Sequence, residues 1–151
     1  LRAVGIKEEV DQRVREFVDR CRKAGRKVTA QRIAVYKELI RSDDHPSAEM
    51  LYEKVRKSSP SISLDTVNRT LLTLYELGEA SIVEGTGDAK RFDGSSDKHQ
   101  HFRCVKCRRI IDFHHKAFDE IEVPESIRRK FTVLRKTIYL EGICDQCRTG
   151  L

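Results

Sequence analysis

Apolar residues recur at helical spacing through the first half of the chain. Val10, Val14, Phe17, Val18 and Cys21 fall on one face at i, i+3, i+4 intervals and predict a helix over 7–24, ending near Gly25. A second helix is predicted over 30–42, with Thr29 as N-cap and Ile33, Tyr36, Leu39 and Ile40 facing inward. A third covers 48–57 on Ala48, Leu51, Tyr52 and Val55, and Pro60 breaks the pattern after it. A fourth covers 64–77, between Ser63 as N-cap and Gly78 as the residue after its end. Leu64, Val67, Leu71 and Leu74 form its buried face. Residues 80–85 and 89–93 then read as a hairpin closed around Gly85-Thr86-Gly87-Asp88.

Short helices followed by a two-stranded ribbon describe a winged helix-turn-helix over residues 1–93, whose wing covers about 80–93. The fourth helix is the one that would enter a major groove. Asp65, Thr66, Asn68, Arg69 and Thr73 are its candidate DNA-facing positions. Residues 94–98 form a polar linker, and residues 99–151 a small mixed unit. That unit is expected to hold strands near 101–105 and 109–113, a helix near 116–129 interrupted by Pro124, and a last strand over about 131–141. The predicted class is α+β.

Charge shifts this picture only slightly. Residues 1–78 hold 16 Lys/Arg against 12 Asp/Glu, and residues 79–151 hold 14 against 12. The excess permits nucleic-acid binding without proving it. The basic stretch Arg20 to Lys27 is readable as a solvated helix end or as a phosphate contact. No apolar run approaches the roughly 20 residues that cross a bilayer, and no signal-peptide pattern opens the sequence. A cytoplasmic, non-membrane protein is expected. In that reducing setting Cys-x-x-Cys pairs are metal ligands sooner than disulfides.

Cys104-Val105-Lys106-Cys107 and Cys144-Asp145-Gln146-Cys147 are two such pairs. Four thiolates complete a tetrahedron around Zn2+ and leave no open position, which makes the predicted site structural. It ties the beginning of the second unit to its end. Cys21, alone on an apolar helix face, reads as a small buried hydrophobe.

Asp93, His99, His101 and Asp112 cluster around the linker. If residues 99–101 are extended, both imidazoles point to one face. Nitrogen and carboxylate donors together suit Fe2+, Mn2+, Co2+ or Zn2+. Spacing alone leaves open whether this is a second metal site or a set of ordinary linker residues. His114 and His115, equally close, read as a solvated pair.

Over about residues 20–148 the sequence resembles the ferric uptake regulator superfamily. The resemblance lies in Thr29-Ala30-Gln31-Arg32, His45-Pro46-Ser47-Ala48, Ser63 to Leu71, Arg91-Phe92-Asp93, His99 to Cys104, and both Cys pairs. It implies a homodimer whose winged helices bind AT-rich palindromic DNA when a regulatory metal is bound. It also implies that His45 joins Asp93, His99, His101 and Asp112 as ligands of that metal, Fe2+ or Mn2+ in the cell and replaceable by Zn2+ in purified protein. The second unit then serves dimerisation.

Asp at both 93 and 112 is the pattern of the peroxide-sensing branch, where iron-regulating members usually carry Glu. Gln100 and Lys136 stand where ligands of an additional site of many iron regulators are expected. The resemblance therefore implies a repressor in which His45 or His99 is oxidised by iron and peroxide, releasing DNA. The alternative within the family is a regulator that responds to iron level alone. Asn68 departs from the Tyr usual in the recognition helix, and Asn favours adenine, so an altered operator preference is expected. An open zinc beside a positioned Glu, as deaminases require, is missing from the pattern, and no enzymatic activity is expected.

Overall fold

The computed structural model describes residues 2–83 and 89–149. The chain forms two compact units, Leu1–Ser96 and Asp97–Leu151.

The first unit opens with four helices, α1 (Arg2–Lys23), α2 (Ala30–Arg41), α3 (Ala48–Val55) and α4 (Leu64–Glu76). Three of their starts are fixed by the same chemistry. The hydroxyls of Thr29, Ser47 and Ser63 accept hydrogen bonds from the amides of Arg32, Met50 and Thr66. Each satisfies a donor that the first helical turn leaves unpaired. Gly78 adopts φ +74° after α4, a conformation open to Gly at little cost.

The apolar faces of these helices converge on one core that includes Phe17, Tyr36, Leu39, Leu51, Leu71 and Leu74, all at most 1% exposed. Cys21 is fully buried within it. Two details differ from the periodicity. Val35 is buried where Ile33 was expected, and Thr70 and Thr73 are buried on α4. Both threonines can turn inward because their hydroxyls bond back to carbonyls one turn earlier, Thr70 to Thr66 at 2.7 Å and Thr73 to Arg69 at 3.0 Å.

A polar contact is enclosed in the same core. Glu79, just after α4, is 8% exposed and accepts a 2.5 Å hydrogen bond from the Tyr36 hydroxyl. Arg20 of α1 pairs with its other oxygen at 3.0 Å. Burial and the adjacent carboxylate push the Tyr36 phenol well above its ordinary pKa. One carboxylate thus links α1, α2 and the end of α4.

The wing strands are β1 (Ser81–Val83) and β2 (Arg91–Asp93), antiparallel with Ile82 opposite Phe92. β1 begins one residue later than the predicted 80–85 and β2 two residues later than the predicted 89–93, and residues 84–88, with the Gly85–Asp88 turn, lie outside the described residues. The other edge of β2 meets the segment before α3. Ser47 bridges Arg91, and the Phe92 amide donates to Pro46 O at 3.0 Å.

The second unit is a three-stranded sheet in the order β4-β3-β5, with β3 (Gln100–Cys104), β4 (Ile110–Phe113) and β5 (Tyr139–Gly142). β4 runs antiparallel to β3, and β5 parallel to it. The predicted helix over 116–129 is two single turns, α5 (Lys116–Asp119) and α6 (Glu125–Arg128), because Pro124 cannot continue a helix. The expected strand over 131–141 is a correction. Only Tyr139–Gly142 pairs, while residues 132–138 take no ladder partner among the described residues. A last turn, α7 (Asp145–Arg148), was not anticipated. No helix among the described residues is long and apolar enough to cross a membrane.

Candidate functional site

The cysteine cluster is built on β3 and the segment after β5. Cys104 closes β3 and Cys107 follows in a tight turn, held by Arg108 N to Cys104 O at 2.9 Å and Cys104 N to Arg109 O at 2.9 Å. Arg108 takes φ +63° there. The parallel register sets Cys104 opposite Gly142, and Val105 N donates to Gly142 O at 2.9 Å, which brings the second pair alongside. Cys144 precedes α7 and Cys147 lies within it. The four sulfurs lie within 4.8 Å of one another.

The local environment sets the acidities of these thiols apart. The backbone amides of Cys107 and Cys144 pull the Cys104 thiol down to about 6. The Cys147 amide likewise lowers Cys144. The sulfurs of Cys107 and Cys144 push Cys147 up to about 12. Neighbouring amides thus favour the thiolate at Cys104 and Cys144, while neighbouring sulfurs disfavour it at Cys147. A tetrahedral Zn2+ site of four Cys fits that donor set. Arg109 pairs with Asp145 beside it and holds that carboxyl below its usual range.

Sheet register also assembles His99, His101 and Asp112. His101 of β3 lies directly opposite Asp112 of β4. His99 is two residues before His101, on the same side of an extended chain. The two Nε2 atoms are 3.0 Å apart, and both approach Asp112 Oδ1, at 3.7 Å from His99 and 3.4 Å from His101. The Nδ1 of His99 is 2.7 Å from the Asp97 carbonyl. A carbonyl only accepts, so the ring proton belongs on Nδ1 and the Nε2 lone pair faces inward. This is the arrangement that orients metal-ligating imidazoles.

In the first unit, His45 and Asp93 are both buried, at 4% and 6% exposure, and His45 Nε2 is 3.5 Å from Asp93 Oδ2. His45 precedes α3 and Asp93 ends β2. Gly94 packs behind Asp93. A Cβ there would come within 3.0–3.2 Å of the Leu39 side chain and backbone.

Gln100, between His99 and His101, is buried on its own side. It donates to Asp119 Oδ1 at 2.8 Å and accepts from the His115 amide at 2.9 Å. His114, expected to be simply solvated, lies 2.8 Å from Asp119 Oδ2 and holds that carboxyl below its ordinary pKa. Lys136 Nζ donates to the carbonyls of Asp119, at 2.7 Å, and Ile121. Protein groups thus satisfy Gln100 and Lys136.

On α4, Asp65, Asn68 and Arg69 are exposed and Thr66 is half-buried. Thr73 corrects the expectation of a DNA-facing residue, since it is 3% exposed. Arg69 pairs with Asp65 at 2.9 Å, and Asn68 Nδ2 donates to Leu64 O at 3.2 Å. The basic stretch at the end of α1 is partly committed to ion pairs within the protein. Arg20 pairs with Glu79, Arg26 with Glu76, and Lys23 with Asp19 at 3.1 Å.

Known proteins share this architecture. Residues 23–141 match the ferric uptake regulator family. The chain is 31% identical over 141 residues to a peroxide-responsive repressor, PerR, of Staphylococcus epidermidis, covering 93% of this chain and 94% of that protein. The Campylobacter jejuni peroxide stress regulator superposes with a TM-score of 0.64 at 31% identity, over 78% of this chain and 88% of that one. The Helicobacter pylori ferric uptake regulator has a similar fold, with a TM-score of 0.77 at 21% identity and coverage of 92% and 93%. With a winged-helix first unit, a four-cysteine cluster and paired His/Asp donors all in this order, the chain belongs to the ferric uptake regulator family of metal-responsive regulators.

Proposed function

We propose that the chain is a peroxide-sensing transcriptional repressor of the cytoplasm, bound to a palindromic, AT-rich operator as a homodimer. Cys104, Cys107, Cys144 and Cys147 hold a structural Zn2+. A regulatory Fe2+ or Mn2+ is held jointly by His45 and Asp93 from the first unit and His99, His101 and Asp112 from the second. The observation that carries the reading is the convergence of the two Nε2 atoms on Asp112, with His45 and Asp93 forming a similar half in the other unit. His99, His101 and Asp112 offer two imidazoles and one carboxylate, and His45 with Asp93 adds two further donors. Together three imidazoles and two carboxylates suit a divalent metal and neutralise its charge. The six steps from Asp93 to His99 reach roughly 20 Å, so the chain permits both halves to share one ion.

The residues of the second unit also support a dimer. Phe131, Leu134 and Leu140 are exposed, Leu134 at 93%, and residues 132–138 have strand-like composition but take no ladder partner among the described residues. A second copy would cover such a face.

A metal needing donors from both units orders the two DNA heads of a dimer to match half-sites about 34 Å apart, or a multiple of that. Moving such an equilibrium from 1:99 to 99:1 takes about 5.5 kcal/mol, or roughly half of that per regulatory site. DNA must tighten metal binding by the same factor. Asp65, Thr66, Asn68 and Arg69 offer the contacts of α4. Bound ferrous iron supplies cleavage of the peroxide O–O bond. With iron held there, one peroxide oxygen would be added to a ring carbon of His45 or His99 while the other left as water, and the oxidised imidazole would be a weaker ligand.

Peptide mass spectrometry after anaerobic Fe2+ loading and a small peroxide dose tests this, beside a Mn2+ control. Trypsin releases His99 to Arg103, a peptide with neither Met nor Cys. The peptide containing His45 also holds Met50 and requires fragmentation. Iron-dependent oxygen on His45 or His99 is the expected result. Unmodified histidines with iron demonstrably bound would favour a regulator responding to iron level alone.

A further inference from the structure

His45 is held in an unfavourable backbone conformation. Its φ is +49°, in the left-handed region that a residue with a Cβ rarely adopts. Such a conformation persists only where surrounding contacts impose it. The contacts here come from Arg91. Its Nε donates to the carbonyl of His45, and its Nη2 donates to the carbonyl of Asp44 at 2.6 Å. One planar guanidinium therefore grips two consecutive carbonyls, on either side of the His45 amide and Cα. The strand adds backbone contacts at the same place, through the Ser47–Arg91 bridge and the Phe92 amide on Pro46 O. On the outer side, Lys54 reaches the Asp44 carboxylate at 2.8 Å and Ser42 Oγ at 3.3 Å.

Strand geometry gives Arg91 its significance. Residues 91 and 93 are two apart in β2, so their side chains leave the same face. Arg91 fixes the backbone of His45, and Asp93 meets the His45 ring at 3.5 Å. Phe92, between them, points into the core. A single strand thus delivers one carboxylate to the candidate metal half-site and one guanidinium to the loop that presents its imidazole.

We propose that Arg91 is a positioning residue for metal binding: its fork on the Asp44 and His45 carbonyls holds His45 where its imidazole works with Asp93. The proposal rests on the reading of His45 as a regulatory-metal ligand. Groups that orient metal ligands from behind typically change affinity by about 10–100-fold when removed. Lys is a poor substitute, because a point charge lacks the fixed fork that matches two neighbouring acceptors.

The test compares zinc-loaded wild type with Arg91→Ala, Arg91→Lys, Lys54→Ala and His45→Ala. Co2+ affinity is measured by its visible absorption, and thermal unfolding is followed on the same samples. Arg91→Ala and Arg91→Lys are expected to weaken Co2+ binding by about 10-fold or more at temperatures where both remain folded. Lys54→Ala, which touches the Asp44 side chain and not the His45 carbonyl, is expected to leave it nearly unchanged. Should Arg91→Ala not fold, Arg91→Lys carries the comparison. Lower thermal stability with Co2+ affinity intact in the Arg91 variants would overturn the proposal and leave Arg91 a purely structural residue. Unchanged Co2+ affinity in His45→Ala would instead overturn the regulatory-site reading beneath it.

Discussion

The buried Tyr36–Glu79 contact makes a prediction with two independent signs. Tyr36 is fully buried and donates to Glu79 at 2.5 Å, while Arg20 holds the other carboxylate oxygen. Tyr36→Phe removes only the hydroxyl. A hydrogen bond to a charged group contributes about 1.5–3 kcal/mol, so the variant should lose about that much stability at neutral pH. The second sign comes from proton linkage. Burial first, then the carboxylate, raises the folded pKa of the phenol, whereas the unfolded phenol titrates near its ordinary value of about 10. Above that pH the unfolded chain has released a proton that the folded chain keeps. Stability therefore falls as pH rises, by about 1.4 kcal/mol in total between pH 9 and pH 11. Tyr36→Phe has no such proton to lose. The gap between the two proteins should shrink by about 1.4 kcal/mol over those two pH units, while other lysines, cysteines and tyrosines cancel in the difference. Urea unfolding followed by circular dichroism, dominated by the helices of the first unit, measures both quantities. A gap that stays constant from pH 9 to 11 would refute a buried, protonated Tyr36 on Glu79.

Further outcomes follow from other parts of the molecule. Cys144→Ser should leave the protein with little bound zinc by elemental analysis and a second unit susceptible to proteolysis, because the cluster ties the end of β3 to the segment after β5. Gly94→Ala should cost about 1–3 kcal/mol in denaturant unfolding, since its Cβ would meet the backbone of Leu39 at 3.1 Å and a helix cannot easily yield. Arg69→Ala should reduce the salt dependence of DNA affinity by about one phosphate contact. Thr73→Ala should lower stability with the salt dependence unchanged, as expected of a buried residue.

Legibility in the sequence followed the range of the interactions involved. The helices of the first unit were readable because caps and apolar stripes are local, as Thr29 and Ser63 show. The cysteine cluster was readable because two short motifs carry the whole donor set. His99 and His101 share a face by strand period alone, but the placement of Asp112 depends on the β3–β4 register, which no local pattern specifies. His45 was reached only through family resemblance, since it enters from a loop far away in sequence. Thr73 was misplaced because periodicity treats a hydroxyl as polar, although it can bond the preceding turn and turn inward. The extent of the last strand was overstated because strand-like composition does not supply a neighbour to pair with. Arg91 and Glu79 carried no sequence signal for their roles, which arise from contacts 46 and 43 residues away.

Metal-gated selection of DNA tests the central claim most directly. Zinc-loaded protein, with and without added Mn2+, would be used to enrich duplexes from a random pool, alongside His45→Ala and Asp112→Ala. One ion shared by the two units predicts a palindromic sequence enriched only by wild type with Mn2+, and its loss when a ligand of either unit is removed. Equal enrichment without Mn2+, or by both variants, would contradict a regulatory metal held by His45, Asp93, His99, His101 and Asp112.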